Sequence, residues 1–327
     1  MDRLGNIILH CDNISHQFSE KKVLHQIDIE LVRGEIAALV GPSGCGKSTL
    51  LQLILGTDKP TQGKVVVFHN NGHGRAVTVT KPGRDRGVVY QRYSLFPHLT
   101  ALENVAIGLM FVKTSYPFRT LRPFKWHGLR KIHLREAEQL LVKLHLGDAL
   151  NCYPHQLSGG MCQRVAIAQA LITKPEILLL DEPFGALDEA TRESLQRMLL
   201  RLYAENLQEI KVGGKPQYTI LIVTHEINEA IYVSDRVIGI SPFWDWQAEG
   251  HAQFPGARIV YDQPAPVFCA EDPRDFEKFV GQKNEILESV FNPARIQKRR
   301  DFRDFWEQVK AGDGEGVLNN EQPTAKP

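Results

Sequence analysis

Apolar and polar positions along this chain follow two different periods. In "GEIAALVGPSGCGKSTLLQLILG" (Gly34–Gly56) an apolar run gives way to a glycine-rich turn. Leu50, Leu51, Ile54 and Leu55 follow, spaced to line one side of a helix. "GKVVVF", "RGVVYQ", "PEILLLDEP" and "YTILIVTHE" are further short apolar runs, the last two turning polar only at their ends. Such runs predict strands covered on both faces. Between them the pattern predicts helices over 133–146, 159–173 and 189–206, the last with Leu195, Met198, Leu199 and Leu202 on one face. Strands alternating with helices, with reactive groups where strands end, predict an open parallel α/β sheet. Residues from about 93 to 160 interrupt that alternation and read as a mainly helical insert. Beyond "GARIVY" the chain reads as irregular, and "GDGEGVLNNEQPTAKP" as disordered. No repeats are visible.

Composition adds limits. The 327 residues, 43% hydrophobic, can bury one large core or two smaller ones. Lys and Arg number 39 against 38 Asp and Glu, a net charge of +1 that argues against coating nucleic acid. No run reaches the roughly 18–20 apolar residues of a membrane span, and the opening "MDRLGNIILHCDN" lacks a leader's apolar stretch, so a cytosolic location is expected. The five cysteines have no zinc-ligand spacing. Cys45 alone lies at a helix start inside a reactive loop, where a thiol pKa can fall, giving a chemical handle.

Three stretches carry chemistry. Gly41-Pro42-Ser43-Gly44-Cys45-Gly46-Lys47-Ser48-Thr49 satisfies G-x-x-x-x-G-K-[ST] between a strand and a helix. The glycines let backbone N–H groups converge on phosphate oxygens, Lys47 can reach the terminal phosphates, and the Ser48 hydroxyl can ligate Mg²⁺. Asp181 and Glu182 end an apolar strand; Asp181 can hold hydrated Mg²⁺ and Glu182 can orient or deprotonate a water. Ser158, Gly159 and Gly160 front a further helix, "LSGGMCQRVAIAQAL", and make a second anion site.

That stretch, followed by "LLLDEPFGALD", resembles the signature helix, acidic strand and D-loop of ATP-binding cassette (ABC) ATPases, a likeness spanning roughly residues 7–240. The resemblance implies a P-loop NTPase core over 1–92 and 161–260 with a parallel sheet and an antiparallel β subdomain. It further implies an inserted helical subdomain over 93–160 and a C-terminal extension over 261–327. It implies that Gln91 senses Mg²⁺ and the attacking water, that His225 contacts the γ-phosphate, that Asp188 is the D-loop aspartate and that Phe18 stacks on adenine, with His16 also able to approach the base. Two such cassettes pack head to tail, so that Ser158, Gly159 and Gly160 of one chain cover the ATP held by the other. Met161 and Cys162 depart from the commonest signature, yet "YPHQLSGGM" is similar to the ATPases of nitrate, sulfonate and taurine importers.

The implied protein is the ATPase of an importer, peripheral on the cytoplasmic face of the membrane. Its partners would be a second cassette, a separate permease and, indirectly, an extracytoplasmic solute-binding protein; its cofactors would be ATP and Mg²⁺. Arg92, Tyr93, Phe96 and His98 are candidates for the permease contact. Residues 261–327 leave little room for the β-barrel regulatory domain of some importers. A separate-subunit exporter stays open as a third reading. The competing reading is a soluble cassette ATPase acting on nucleic acid or ribosomes. It draws on the acid-free stretch 111–133, where Lys113, Arg119, Arg122, Lys125, Arg130 and Lys131 interleave with aromatics. The same composition suits anionic lipid or a solvated loop; nucleic acid is not the expected partner.

Overall fold

A computed structural model describes residues 6–69, 75–91, 94–113, 123–185, 187–265 and 276–302. Its main sheet has six strands in the order β10-β9-β3-β8-β7-β6. They are β10 (Arg258–Pro264), β9 (Arg236–Ser241), β3 (Ile36–Val40), β8 (Thr219–Thr224), β7 (Ile177–Asp181) and β6 (Arg86–Val89). All neighbours run parallel except β10, which returns antiparallel on β9. This is the expected α/β P-loop architecture.

The apolar runs have a simple cause. Alternate residues of β7 and β8 enter two different cores. Leu178, Leu180, Ile220 and Ile222 join the helices on one face. Ile177, Leu179, Leu221 and Val223 pack with α1 (Lys47–Leu55) on the other. The period of two persists, but neither face meets water, so no polar residue marks it.

The helical face carries α2 (Ala101–Lys113), α3 (Pro123–Lys143), α4 (Gly159–Leu171) and α5 (Glu189–Lys211). The opposite face is completed by an antiparallel sheet ordered β2-β1-β4-β5. Its strands are β1 (Ile7–Phe18), β2 (Lys21–Val32), β4 (Gln62–His69) and β5 (Arg75–Thr78). Arg236 fastens the two sheets together. Buried on β9, it donates Nε and Nη2 to the two carboxylate oxygens of Asp262 on β10, each at 2.6 Å, and Nη1 to the Glu30 carbonyl of β2 at 2.8 Å. Among the described residues no helix is long and apolar enough to cross a membrane.

Three expectations change. The helix read from 133 starts at Pro123 and ends at Lys143, where His145 turns to a φ of 58°. The part of the basic stretch from 123 to 133 is therefore helix, and Arg130 pairs with Glu103 of α2 at 3.1 Å; residues 114–122, with Arg119 and Arg122, lie outside the described residues. The chain beyond Tyr261 is not irregular throughout. Beyond the short α6 (Ile227–Val233), a helix α7 (Phe276–Ile286) runs into a π-helical turn at Leu287–Phe291, placing Ile286 and Val290 against Trp244 and Tyr261. Phe279, Ile286 and Val290, spaced by seven and four, are the helical signal that the polar surroundings obscure. The C-terminal end expected to be disordered lies outside the described residues.

Candidate nucleotide site

Parallel strands deliver their C-terminal ends to one edge, and the loops leaving β3, β6, β7 and β8 carry the candidate residues to it. The loop after β3 holds Gly41 to Gly46 in front of α1. A Cβ at Gly41 would lie 2.2 Å from the Ile240 carbonyl, and one at Gly46 (φ 104°) 2.6 Å from Leu24. Only glycine fits either place. A Cβ at Gly44 (φ 79°) would instead meet nothing within 4 Å, so the space on that side of the loop is open to an incoming group. Lys47 is buried and donates to the carbonyls of Gly41 and Pro42 at 2.7 and 3.0 Å, so its ammonium is held over the loop. Ser43 and Ser48 are exposed, and Pro42 and Thr49 half-buried. Cys45 departs from expectation: its side chain is buried, and burial raises its thiol pKa, outweighing the nearby Lys47 ammonium. A reactive handle it is not.

Glu182 follows β7 with a φ of 46°, the left-handed region that a side chain seldom occupies, and its N–H is bonded to Val223 O at 2.7 Å. Its two carboxylate oxygens are both engaged. Gln91 Nε2 donates to one at 2.9 Å, and His225 Nδ1 lies 3.0 Å from the other. A carboxylate can only accept, so that ring nitrogen carries the proton. Burial, and then the negative charge of Glu182, raise the pKa of Asp181, against the pull of Lys47. The structure thus brings Gln91, Glu182 and His225 into one hydrogen-bonded group, with Asp181 and Lys47 close enough to feel each other's charge.

The second anion stretch is built separately. Ser158 caps α4, its Oγ accepting from Met161 N at 3.2 Å, and Gly159 is open on all sides. Gly160 is tight: a Cβ there would lie 1.7 Å from Thr191 Cγ2 on α5. Asp188 caps that same helix, accepting from Thr191 N at 3.1 Å; bonds from Thr191 lower its pKa. The Ser158 helix and the Asp188 helix therefore touch through Gly160 and Thr191. Among the described residues no hydrogen bond or ion pair joins 158–160 to 41–49. Replacing Gly160 by Ala is expected to cost about 1–3 kcal/mol by overpacking, read as a fall in the denaturant midpoint. Adding Thr191→Ala should restore most of it, and no recovery would mean that the contact is not the cause.

Phe18 ends β1, 46% exposed, with His16 edge-on at a centroid distance of 4.6 Å. Among the described residues no hydrogen bond or ring contact links it to the phosphate loop. Of the surface expected to meet a permease, Arg92 and Tyr93 lie outside the described residues. Phe96 and His98 are exposed, with ring centroids 6.0 Å apart. Pattern reading missed their organiser. Asn104, fully buried on α2, donates Nδ2 to the carbonyls of Phe96, Leu99 and Thr100 and accepts from Phe96 N. It also missed the loop 242–257, whose His251 reaches the neighbourhood of His16; the aromatic density of "FWDWQAEGHAQF" was the available signal.

Residues 24–185 match the family described as ABC transporter. The chain is 36% identical to the sulfate/thiosulfate import ATP-binding protein CysA of Pectobacterium atrosepticum, over 92% of this chain and 82% of that protein. It is 37% identical to the spermidine/putrescine import ATP-binding protein PotA of Marinobacter nauticus, over 89% of this chain and 65% of the relative, just under two thirds of that protein's length. Among solved structures, a dimeric ATP-binding cassette in a post-hydrolysis state with ADP and Pi aligns with a TM-score of 0.57 and 29% identity, covering 80% of this chain and all of that one.

Proposed function

Because this chain belongs to the ABC transporter family and is an ATPase coupled to transport, we propose that it powers solute import by closing as a head-to-tail dimer beneath a separate permease. The observation that carries this reading is the hydrogen-bonded group of Gln91, Glu182 and His225 beside the phosphate loop. In it Glu182 is the base that takes the proton of the attacking water, His225 holds that carboxylate and meets the γ-phosphate, and Gln91 reports the state of the site towards the permease. The open side of the loop at Gly44 and the ammonium of Lys47 receive the phosphates. Phe18 offers its exposed face to the base.

Mg²⁺ fits the residues present. Burial and Glu182 raise the pKa of Asp181 despite Lys47, and a hard cation with oxygen ligands would suit the two adjacent carboxyl groups and the Ser48 hydroxyl. Ser48, Gln91 and Asp181 would hold it, and its chemistry there is neutralisation of charge on the phosphates. The relatives bear on the solute only indirectly. One named for an anion and one named for polyamines match this chain equally well. We therefore assign solute choice to the permease and an extracytoplasmic solute-binding protein, with nitrate, sulfonate or taurine-like anions favoured by "YPHQLSGGM" alone.

The dimer reading has a direct test. Lys47→Ala disables a phosphate loop, and Gly159→Asp places a repelling carboxylate where no atom lies within 4 Å to obstruct it. Each variant alone should be inactive. Mixed, they form heterodimers with one intact site made of the unaltered loop of one chain and the unaltered 158–160 of the other. Phosphate release should recover to roughly a quarter of the wild-type rate if pairing is random. A mixture as dead as its components would sink the two-chain site.

A further inference from the structure

We propose that Glu229 and Arg192 are positioning residues for hydrolysis, which together fix the turn that carries His225. The inference rests on the reading of His225 given above and adds two residues that act through it.

Glu229 lies on α6, one turn of helix beyond His225, and is only 6% exposed. Its oxygens serve two different elements. Oε2 accepts from Thr224 Oγ1 at 3.3 Å, and that same hydroxyl accepts from Glu226 N at 3.0 Å. Thr224 is buried at the end of β8, so one hydroxyl braces the chain on both sides of His225. A hydroxyl has a single proton to give. Glu229 takes it, which leaves the lone pairs of Oγ1 aimed at the Glu226 N–H. Without that acceptor the hydroxyl can rotate, and the brace on the turn is lost.

The other oxygen, Oε1, lies 3.3 Å from Arg192 Nε, an ion pair without the alignment of a hydrogen bond. Arg192 stands on the first turn of α5 and is itself held there. Its Nη1 donates to Glu189 at 3.0 Å and its Nη2 to Leu187 O at 3.3 Å. Glu189 is 87% exposed, so Glu229 is the partner that needs the cation. Burial pushes the Glu229 pKa up to about 7, against the pull of Arg192, Thr224 and His225 and with the push of Glu226. The guanidinium thus keeps the carboxylate charged, and a charged acceptor bonds the Thr224 hydroxyl more firmly than a neutral one.

What the brace controls is aim. His225 Nδ1 meets Glu182 at 3.0 Å, and the ring is 42% exposed, with little packing of its own to hold it. A displacement of about 1 Å at such a group can cost about 100-fold in rate.

Steady-state kinetics of the full chain with ATP and Mg²⁺ tests the pair. Glu229→Gln keeps the shape, but with its oxygen on Thr224 its NH2 faces the guanidinium. It should lower kcat about tenfold and leave the KM for ATP unchanged. Arg192→Lys, which keeps the charge, should recover part of what Arg192→Met loses. The double variant Arg192→Met/Glu229→Gln should be no slower than the slower single one, because both act through one contact. In histidine-selective NMR, Glu229→Gln should shift the His225 signal and leave that of His69, on β4, in place. His225→Ala is the control for the underlying reading and should itself lower kcat. If it does, while Glu229→Gln turns over at the wild-type rate with an unmoved His225 signal, the positioning pair is overturned and the reading of His225 stands. A His225→Ala variant as fast as wild type overturns that reading, and this inference with it.

Discussion

Steady-state ATP hydrolysis falls about 10²–10⁴-fold when Glu182 is replaced by glutamine, while nucleotide binding persists. The amide has the shape of the carboxylate but cannot accept a proton from water. The fold should tolerate the change. The backbone at residue 182 is fixed by its bond to Val223 O, and the left-handed φ is no harder for glutamine than for glutamate. With hydrolysis blocked, the ATP-bound dimer should accumulate and be seen by size-exclusion chromatography with light scattering. A variant turning over at the wild-type rate would place the base elsewhere. One that no longer binds nucleotide would make Glu182 a structural residue.

The largest stability effect is expected at Arg236. Arg236→Met should cost about 3–5 kcal/mol in denaturant unfolding, because Asp262 and Glu35 are left buried without the guanidinium between them. The loss should grow with pH. Burial raises the Glu35 pKa to about 7, and Arg236 is the main influence opposing that rise. Without it the folded-state pKa climbs further from the ordinary carboxylate value. The folded chain then holds a proton that the unfolded chain releases, so stability declines as pH increases through that interval. At pH 5 the carboxyl is neutral in the folded state and the deficit should be smaller than at pH 8. Combining the change with Asp262→Ala should recover part of the loss, since a buried pair removed whole costs less than one broken. A deficit below about 1 kcal/mol at pH 8 would show that the pair does not hold the sheets together.

How legible these features were in the sequence follows from their range. The phosphate loop, β7 and β8 announce themselves because strand, turn and helix lie within twenty-odd residues of chain and both sheet faces are buried. Arg236 and Asp262 were silent. Their meeting depends on the antiparallel return of β10 on β9, and two opposite charges in separate strands look like ordinary surface. Asn104 was silent for a related reason: its work is to bond backbone carbonyls of a loop, which no spacing encodes. Cys45 misled because position relative to a helix end suggested a lowered pKa, whereas packing against Gly41 buries the sulfur. Helix α7 was obscured by charged residues between its few apolar anchors.

The doubly bonded carboxylate of Glu182 has an economic consequence for a cell. Both oxygens are committed, one to Gln91 and one to His225, while the backbone beneath them is pinned. Each oxygen still has a lone pair with which to accept from water, so the two bonds aim the carboxylate; Gln91, on the oxygen that His225 leaves, stands shortly before Phe96 and His98 in the chain. We infer that whatever docks near Phe96 and His98 would set the pace of ATP use through that one side-chain amide.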